Sequence, residues 1–170
     1  MNYLSFIENK IVREKETLIH TLSQWRFKEE KIVVDLTKDV DVFSNGCFDI
    51  LHRGHIEYLA QAAGLGQKLV IGLNTDASVK RLKGDKRPVN NQEARALLLA
   101  SLLFTDKIIF FDEDTPLELI RFIQPDILVK GSDYKPEEIV GYDIVKAKGG
   151  EIITIDLTPG FSTTSILQKL

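Results

Sequence analysis

Short apolar runs alternate along this chain with longer segments that mix apolar and charged residues. The run Leu69–Leu73, with sequence Leu-Val-Ile-Gly-Leu, is apolar at nearly every position, which is typical of a strand that is covered on both faces. Runs of this kind predict strands at Asp41–Asn45, Lys68–Asn74, Lys107–Phe111, Asp126–Lys130 and Glu151–Ile155.

The segments between these strands have the composition and apolar spacing of helices. They predict helices at Ile56–Gly64, Asp76–Leu82, Gln92–Phe104, Pro116–Ile123, Pro136–Lys148 and Ser162–Lys169. Strands that alternate with helices imply right-handed crossovers and a parallel sheet. We therefore predict an α/β fold, a single Rossmann-like doubly wound parallel sheet of about five strands, with its ligand at the carboxyl ends of the strands.

The first 38 residues follow a different pattern. Their apolar positions recur among charges as in one or two amphipathic helices, at Ile7, Ile11, Leu18, Leu22 and Trp25. We predict an N-terminal helical extension over residues 1–38, packed on or near a domain over residues 39–170. The run at Lys31–Val34 and the one at Val40–Phe43 can each begin the first strand, since residues 35–39 look like an insertion. The extension can either cover the sheet or bury Trp25 in a homodimer contact.

Composition limits the function classes. The chain has 170 residues, 44% of them hydrophobic and 28% charged, which is ordinary for one globular domain. A net charge of −3 gives no support to a nucleic-acid or membrane surface. The single cysteine, Cys47, fits a reducing compartment, and no signal peptide or membrane span is evident. We expect a cytoplasmic protein.

The segment from Gly46 to His55 is the most informative one, with sequence Gly-Cys-Phe-Asp-Ile-Leu-His-Arg-Gly-His. A strand, a glycine turn and a helix start in that order favour a phosphate site, because first-turn N–H groups are free and the helix dipole is positive there. His52 and His55 add two donors, and Gly54 lets the backbone approach closely. The alternatives are a metal site, which no other Cys, His or Glu cluster completes, and an incidental pair of histidines.

Three other segments carry candidate chemistry. The polar stretch Lys83–Asn91, called the basic loop below, can lie over the active site. The cations in and just before it can either be solvated or hold phosphates, namely Lys80, Arg81, Lys83, Lys86 and Arg87. The helix start at Ser162–Thr164 has favoured capping residues and can also bind phosphate. The segment Lys130–Tyr134 ends a predicted strand and is either a turn or a border of the ligand crevice.

The motif from Gly46 to His55 resembles the signature of the cytidylyltransferase-like nucleotidyltransferases, and the resemblance runs from about residue 41 to residue 170. The other matching segments are Asn74-Thr75-Asp76, Arg81-Leu82-Lys83-Gly84, Arg95 and Ser162-Thr163-Thr164. Within that family the segments Arg81–Val89, Asp114–Pro116 and Val129–Tyr134 resemble the D-glycero-β-D-manno-heptose 1-phosphate adenylyltransferases. The chain looks like their stand-alone form, rather than the form fused behind a sugar kinase.

The resemblance implies transfer of AMP from ATP to a sugar 1-phosphate with release of pyrophosphate, and Mg²⁺ held mainly by phosphates rather than directly by side chains. The implied catalytic residues are His52, His55 and Lys83. The implied nucleotide contacts are Gly46, Cys47, Phe48, Asp49, Gly54, Asn74, Arg81, Lys130, Gly131, Ser162, Thr163 and Thr164. The implied contacts of the substrate phosphate or the pyrophosphate are Arg87 and Arg95.

Two rival functions remain open on the sequence. A CTP-dependent enzyme acting on glycerol 3-phosphate has a similar signature, but such enzymes carry an Arg near the position of Asp156–Pro159. A non-catalytic nucleotide-binding module has no chemical reason to keep both histidines. A nucleophilic role for Cys47 is disfavoured because the family reaction has no covalent intermediate, and we expect Asp49 to have a structural, Mg²⁺-adjacent role.

Overall fold

The structure is a computed structural model that describes residues 10–12 and 40–169. Its strands are β1 (Ile11–Val12), β2 (Val42–Gly46), β3 (Leu69–Asn74), β4 (Lys107–Phe111), β5 (Ile127–Gly131) and β6 (Glu151–Ile155). They form one sheet in the order β1-β4-β3-β2-β5-β6, and every neighbouring pair is parallel. The predicted fold class and five predicted strands are confirmed, with bounds that differ by at most one residue.

The sixth strand corrects one expectation. Ile11 was expected on an amphipathic helix, but it pairs with Ile108 at the edge of the sheet. The reason is that β4 offers an open edge, where the Ile108 N–H donates to the Lys10 carbonyl at 2.7 Å. The side chain of Ile11 is buried in the core by this pairing. The rest of the predicted helical extension, and the division into residues 1–38 and 39–170, fall largely outside the described residues and stay predictions.

The helices are α1 (Arg53–Ala63), α2 (Asp76–Lys83), α3 (Gln92–Ala100), α4 (Leu117–Ile123), α5 (Tyr142–Ala147) and α6 (Thr163–Leu167), with a 3-10 turn at Pro136–Glu138. The helix predicted over Pro136–Lys148 is therefore split. Gly141 has φ +95°, a left-handed conformation that interrupts a helix and that glycine adopts without strain. None of the helices in residues 10–12 and 40–169 is long and apolar enough to cross a membrane.

Both faces of the sheet are covered, as the apolar runs predict. All six residues of β3 are buried, and they alternate between two core clusters. Leu69, Ile71 and Leu73 pack in the cluster that includes residues of α1 and α3, while Val70 packs in the cluster with α4 and α5. Strand β2 lies between β3 and β5, where the chain reverses its direction of progress across the sheet. Such a switch point opens a crevice at the carboxyl ends of the strands.

Candidate active site

A cleft of about 610 Å³ opens at the carboxyl ends of β2, β3 and β5. It brings together all the site residues predicted from the sequence except Arg81 and Arg95. These are His52, His55, Lys83, Gly46, Cys47, Phe48, Asp49, Gly54, Asn74, Lys130, Gly131, Ser162, Thr163, Thr164 and Arg87. The volume is of the size expected for a small-molecule site.

His52 begins helix α1 with its own ring. Its backbone is extended (φ −141°), and its Nδ1 accepts a hydrogen bond from the backbone N–H of His55 at 3.3 Å. Because Nδ1 is an acceptor, the ring proton of neutral His52 lies on Nε2, which leaves an N–H donor outside the cap. A Cβ at Gly54 would come within 3.2 Å of the His52 ring and of the Phe161 Cβ. Glycine there keeps the turn open for the ring and for a ligand.

The two imidazoles are stacked, with ring centroids 3.7 Å apart and planes 17° from parallel. Burial and the neighbouring His52 lower the pKa of His55 to about 4, and the backbone carbonyl of Ile50 only partly opposes this shift. Burial also lowers the pKa of His52. Both rings are therefore neutral at physiological pH, and they can offer phosphate oxygens N–H groups rather than full charges.

Asp49 joins the motif to the basic loop. Asp49 is 2% exposed, and its carboxylate accepts a hydrogen bond from Arg87 Nε. The carboxylate also accepts from the backbone N–H of Val89 at 2.8 Å and from that of Asn90 at 3.0 Å. The Asn90 side chain donates in return to the Asp49 carbonyl at 2.8 Å. The basic loop is thus fastened to the wall of the cleft, and Arg87 is placed inside it.

Arg95 lies behind the cleft rather than in it. Its side chain is fully buried, and all three guanidinium nitrogens donate to protein oxygens. Nε bonds the Asn90 carbonyl at 3.0 Å, Nη1 the Cys47 carbonyl at 2.6 Å, and Nη2 the Asp76 carboxylate at 2.8 Å. This placement does not bring Arg95 to a substrate phosphate, but it ties the motif turn, the basic loop and α2 together.

Arg81 lies next to the cleft rather than in its lining. Its Nε donates at 2.9 Å to Asp114, which lines the cleft, and its Nη2 donates to the Asp112 carbonyl, beside an adjoining depression that Thr75 also lines. Lys83, two residues further along α2, does line the cleft. The structure therefore separates these two cations, which the sequence had placed in one site.

Lys130 is a partly buried cation of the cleft. Its Nζ donates to the Asn45 carbonyl at 3.2 Å and lies 5.9 Å from the centre of the Tyr134 ring. Burial lowers its pKa to about 8, with Asp133 and Cys47 opposing the shift. A modest rise in pH therefore removes its charge.

The remaining predicted groups have clear local roles. Burial raises the pKa of the Cys47 thiol, so the thiolate that a nucleophile needs is disfavoured. Asn74 donates from its side chain to Ser78 Oγ at 3.0 Å. Ser162 caps α6 by accepting from the Ser165 N–H at 3.0 Å, while Ser165 Oγ accepts from the Ser162 N–H. The predicted capping role is confirmed, and Thr163 and Thr164 line the cleft beside it.

Several cleft residues were not found from the sequence. Among them are Asn45, Tyr58, Leu157, Thr158 and residues 138–140. The Tyr58 hydroxyl hydrogen-bonds Ser44 Oγ at 2.8 Å and the Val129 carbonyl at 3.0 Å, so it links the neighbouring strands β2 and β5. The one available signal was position, since Tyr58 follows His55 by three residues on α1 and therefore lies on the same helix face.

The family model described as "Cytidylyltransferase-like" matches residues 43–169. The chain belongs to this family. It is 49% identical over 162 residues to "Bifunctional protein HldE" of Rhodopseudomonas palustris (strain HaA2), an alignment that covers 95% of this chain and 31% of the relative. It is 56% identical over 141 residues to the protein of the same name from Campylobacter concisus (strain 13826), covering 83% of this chain and 29% of that one. The chain thus spans about a third of the length of these curated relatives.

The fold also resembles solved structures. A lipopolysaccharide core biosynthesis protein from Thermoplasma volcanium GSS1 superimposes with a TM-score of 0.57 at 28% sequence identity. That superposition covers 70% of this chain and 96% of the other.

Proposed function

We propose that this protein is an adenylyltransferase that transfers AMP from ATP to a sugar 1-phosphate, heptose 1-phosphate, and releases pyrophosphate. The observation that carries the proposal is the cleft itself, where a neutral histidine pair at a helix start lies in one cavity with Lys83, Arg87 and Lys130. This set of groups suits the positioning of two anions that repel each other.

In the proposed reaction an oxygen of the acceptor phosphate attacks the α-phosphorus of ATP. A new P–O bond forms there, the bond from the α-phosphorus to the bridging oxygen breaks, and pyrophosphate leaves with the electron pair. The acceptor phosphate is already ionised near neutral pH, so no strong general base is needed. The protein contributes orientation and N–H donors. His52 Nε2, His55 and the first turn of α1 donate to the oxygens of the reacting phosphates, whose charge grows in the transition state.

The other groups divide between the two substrates. Arg87 and Lys83 lie on the side of β3, where we place the acceptor phosphate and part of the triphosphate. Lys130 and Ser162–Thr164 lie on the side of β5 and β6, where we place the nucleotide. Arg81 and Arg95 receive no substrate contact in this proposal, because their guanidinium groups are engaged elsewhere.

Mg²⁺ remains part of the proposal through the resemblance. Within residues 10–12 and 40–169, no group of three or more His, Cys, Asp or Glu side chains is arranged to hold a metal ion. We propose that the ion arrives on the triphosphate oxygens. No step above is assigned to it.

The choice of substrates rests on similarity. The matching segments from Arg81 to Tyr134, the high identity to the two HldE proteins and the likeness to a lipopolysaccharide core biosynthesis protein support ATP and heptose 1-phosphate. The product would be ADP-heptose, a precursor of the lipopolysaccharide core. We place the activity in the cytoplasm, and we keep a homodimer as part of the proposal.

The substrate proposal is tested by pyrophosphate release with Mg²⁺, crossing ATP and CTP against heptose 1-phosphate and glycerol 3-phosphate. We expect release with ATP plus heptose 1-phosphate and at most a few per cent of that rate in the other three mixtures. Release with CTP plus glycerol 3-phosphate would support the assignment of the active site but contradict the proposed substrates. Silence in all four, with nucleotide still bound in a titration, would favour the non-catalytic module.

A second prediction concerns pH. Because the pKa of Lys130 is about 8, kcat/KM for ATP should fall as pH rises through about 8, where the lysine loses its charge. The pKa of His55, about 4, predicts no change from that residue between pH 6 and pH 9. Lys130→Arg, which stays charged, should move the alkaline decline above pH 10. A decline that remains near pH 8 in this variant would assign it to another group.

A further inference from the structure

The basic loop is held against the motif turn by polar contacts to the buried Asp49. Three of them converge on one carboxylate, since Asp49 accepts from Arg87 Nε, the Val89 N–H and the Asn90 N–H. The side chain of Asp49 is 1% exposed and that of Arg87 is 19% exposed. These contacts join the polar loop to the motif turn.

The contacts also limit what Asp49 itself can do. Its Oδ1 accepts two backbone N–H groups and its Oδ2 accepts from Arg87. A metal ligand or a general base needs a carboxylate oxygen that faces the reacting groups, whereas these oxygens face the loop. Both oxygens of the motif aspartate are thus engaged by the loop, although the residue lines the cleft.

Arg87 is engaged on one side only. Asp49 takes its Nε–H, and within the described part of the chain no second acceptor is bonded to its guanidinium. The two terminal nitrogens thus keep their N–H groups, in a fork that matches two oxygens of a phosphate. A carboxylate bound at Nε fixes the plane of that fork.

We infer that Asp49 is a positioning residue, which holds the basic loop against the motif turn and sets Arg87 to bind the phosphate of the acceptor. The identity of the bound phosphate rests on the proposed function, whereas the loop contact does not. Asp49, which belongs to the same ten-residue motif as the histidine pair, then fixes the position of Arg87 relative to that pair.

The kinetic test uses Asp49→Asn, which keeps an oxygen for the two backbone N–H groups and loses the charged contact with Arg87. We expect KM for the acceptor phosphate to rise by about tenfold or more, from the loss of a charge-assisted contact. KM for ATP and the Mg²⁺ concentration for half-maximal rate should change by less than about twofold. Asp85→Asn removes the same charge from the same loop at a side chain that is 90% exposed, and it should behave as wild type.

A double-mutant cycle then asks whether Asp49 acts through Arg87. Asp49→Asn should add less than about twofold to KM for the acceptor in the Arg87→Ala background, since the partner is already absent. The double variant also avoids leaving one charge unpaired, which protects the test if Asp49→Asn alone is unstable. Independent effects that multiply in the cycle, a shifted Mg²⁺ dependence, or equal losses for both substrates would each overturn the inference.

Hydrogen exchange separates this inference from the proposed function, because it needs no activity. In wild type the amide protons of Val89 and Asn90 should be protected, and Asp49→Ala should speed their exchange by about tenfold or more while the amides of β3 stay protected. Unchanged exchange at both amides would overturn the inference even in an active enzyme. Absence of pyrophosphate release by wild type, with the exchange result as expected, would overturn only the proposed reaction.

Discussion

His55→Ala is expected to fold as the wild type does and to release pyrophosphate at least about 10²–10³ times more slowly, the usual effect of removing one donor aimed at developing charge. The ring lies in the cleft, stacked 3.7 Å from His52 and 5.2 Å from the Phe48 ring. Its low pKa makes it a neutral donor, so the loss should be the same at pH 6.5 and pH 8.

The measurement is single-turnover pyrophosphate release, with thermal unfolding recorded for each variant. His55→Gln keeps an N–H donor and should recover part of the rate. Gln61→Ala changes an exposed residue on the same helix, and it should leave both rate and unfolding unchanged. Turnover of His55→Ala within a few fold of wild type would remove His55 from the catalytic residues.

Arg95→Met should lower the free energy of unfolding by about 2 kcal/mol or more, because it removes the buried donor that links two backbone carbonyls and a partly exposed carboxylate. The guanidinium holds the carbonyls of Cys47 and Asn90 and the carboxylate of Asp76, and its side chain is fully buried. Methionine fills much of the same volume, so the loss reports the polar contacts rather than a cavity.

Urea unfolding measures this loss. The matched control is Arg121→Met on α4, where the arginine is 56% exposed and pairs with Glu118, and where a change below about 0.5 kcal/mol is expected. Another outcome would support the substrate-phosphate contact that the sequence resemblance implies for Arg95. If Arg95→Met kept its stability and raised KM for the acceptor phosphate instead, Arg95 would be a substrate contact.

Five strands were predictable because each contains a short apolar run, as expected in a sheet covered on both faces. Strand β3 is the clearest instance, since its whole length is buried. Strand β1 was missed because it has two residues and lies among charges, so its formation depends on the open edge of β4 and not on local pattern. Helix α3 ends at Ala100, with Ser101 as its C-cap, rather than at Phe104, because the apolar residues Leu102 to Phe104 extend the helical pattern in the sequence beyond the last turn of the helix.

The site was predictable where the chemistry lies within one short segment. The motif from Gly46 to His55 contains the strand end, the turn, the cap and both donors, so local sequence determines most of its geometry. Arg81 and Lys83 show the limit of such reasoning. Residues two positions apart on an α-helix are separated by about 200° of rotation about its axis. Arg81 and Lys83 therefore lie on different sides of α2, and only Lys83 lines the cleft.

Arg95 shows a second limit. The sequence indicates a cation after the basic loop but not its depth, and a buried arginine is rare unless its partners are nearby in space. Those partners are Cys47, Asp76 and Asn90, which lie in three separate elements of the chain. Only the assembled fold distinguishes an arginine that supports the site from one that binds in it.

The switch point beside β2, where successive strands begin to be added on its other side, has an evolutionary consequence. One wall of the cleft is built by the half of the sheet that continues through β3 and β4, and the other by the half that continues through β5 and β6, with the motif between them. Changes far apart on separate walls have nearly additive effects. Under the proposed placement of the two substrates, selection can remodel the acceptor side of the cleft without rebuilding the nucleotide side, and one scaffold can diversify while its central motif stays the same.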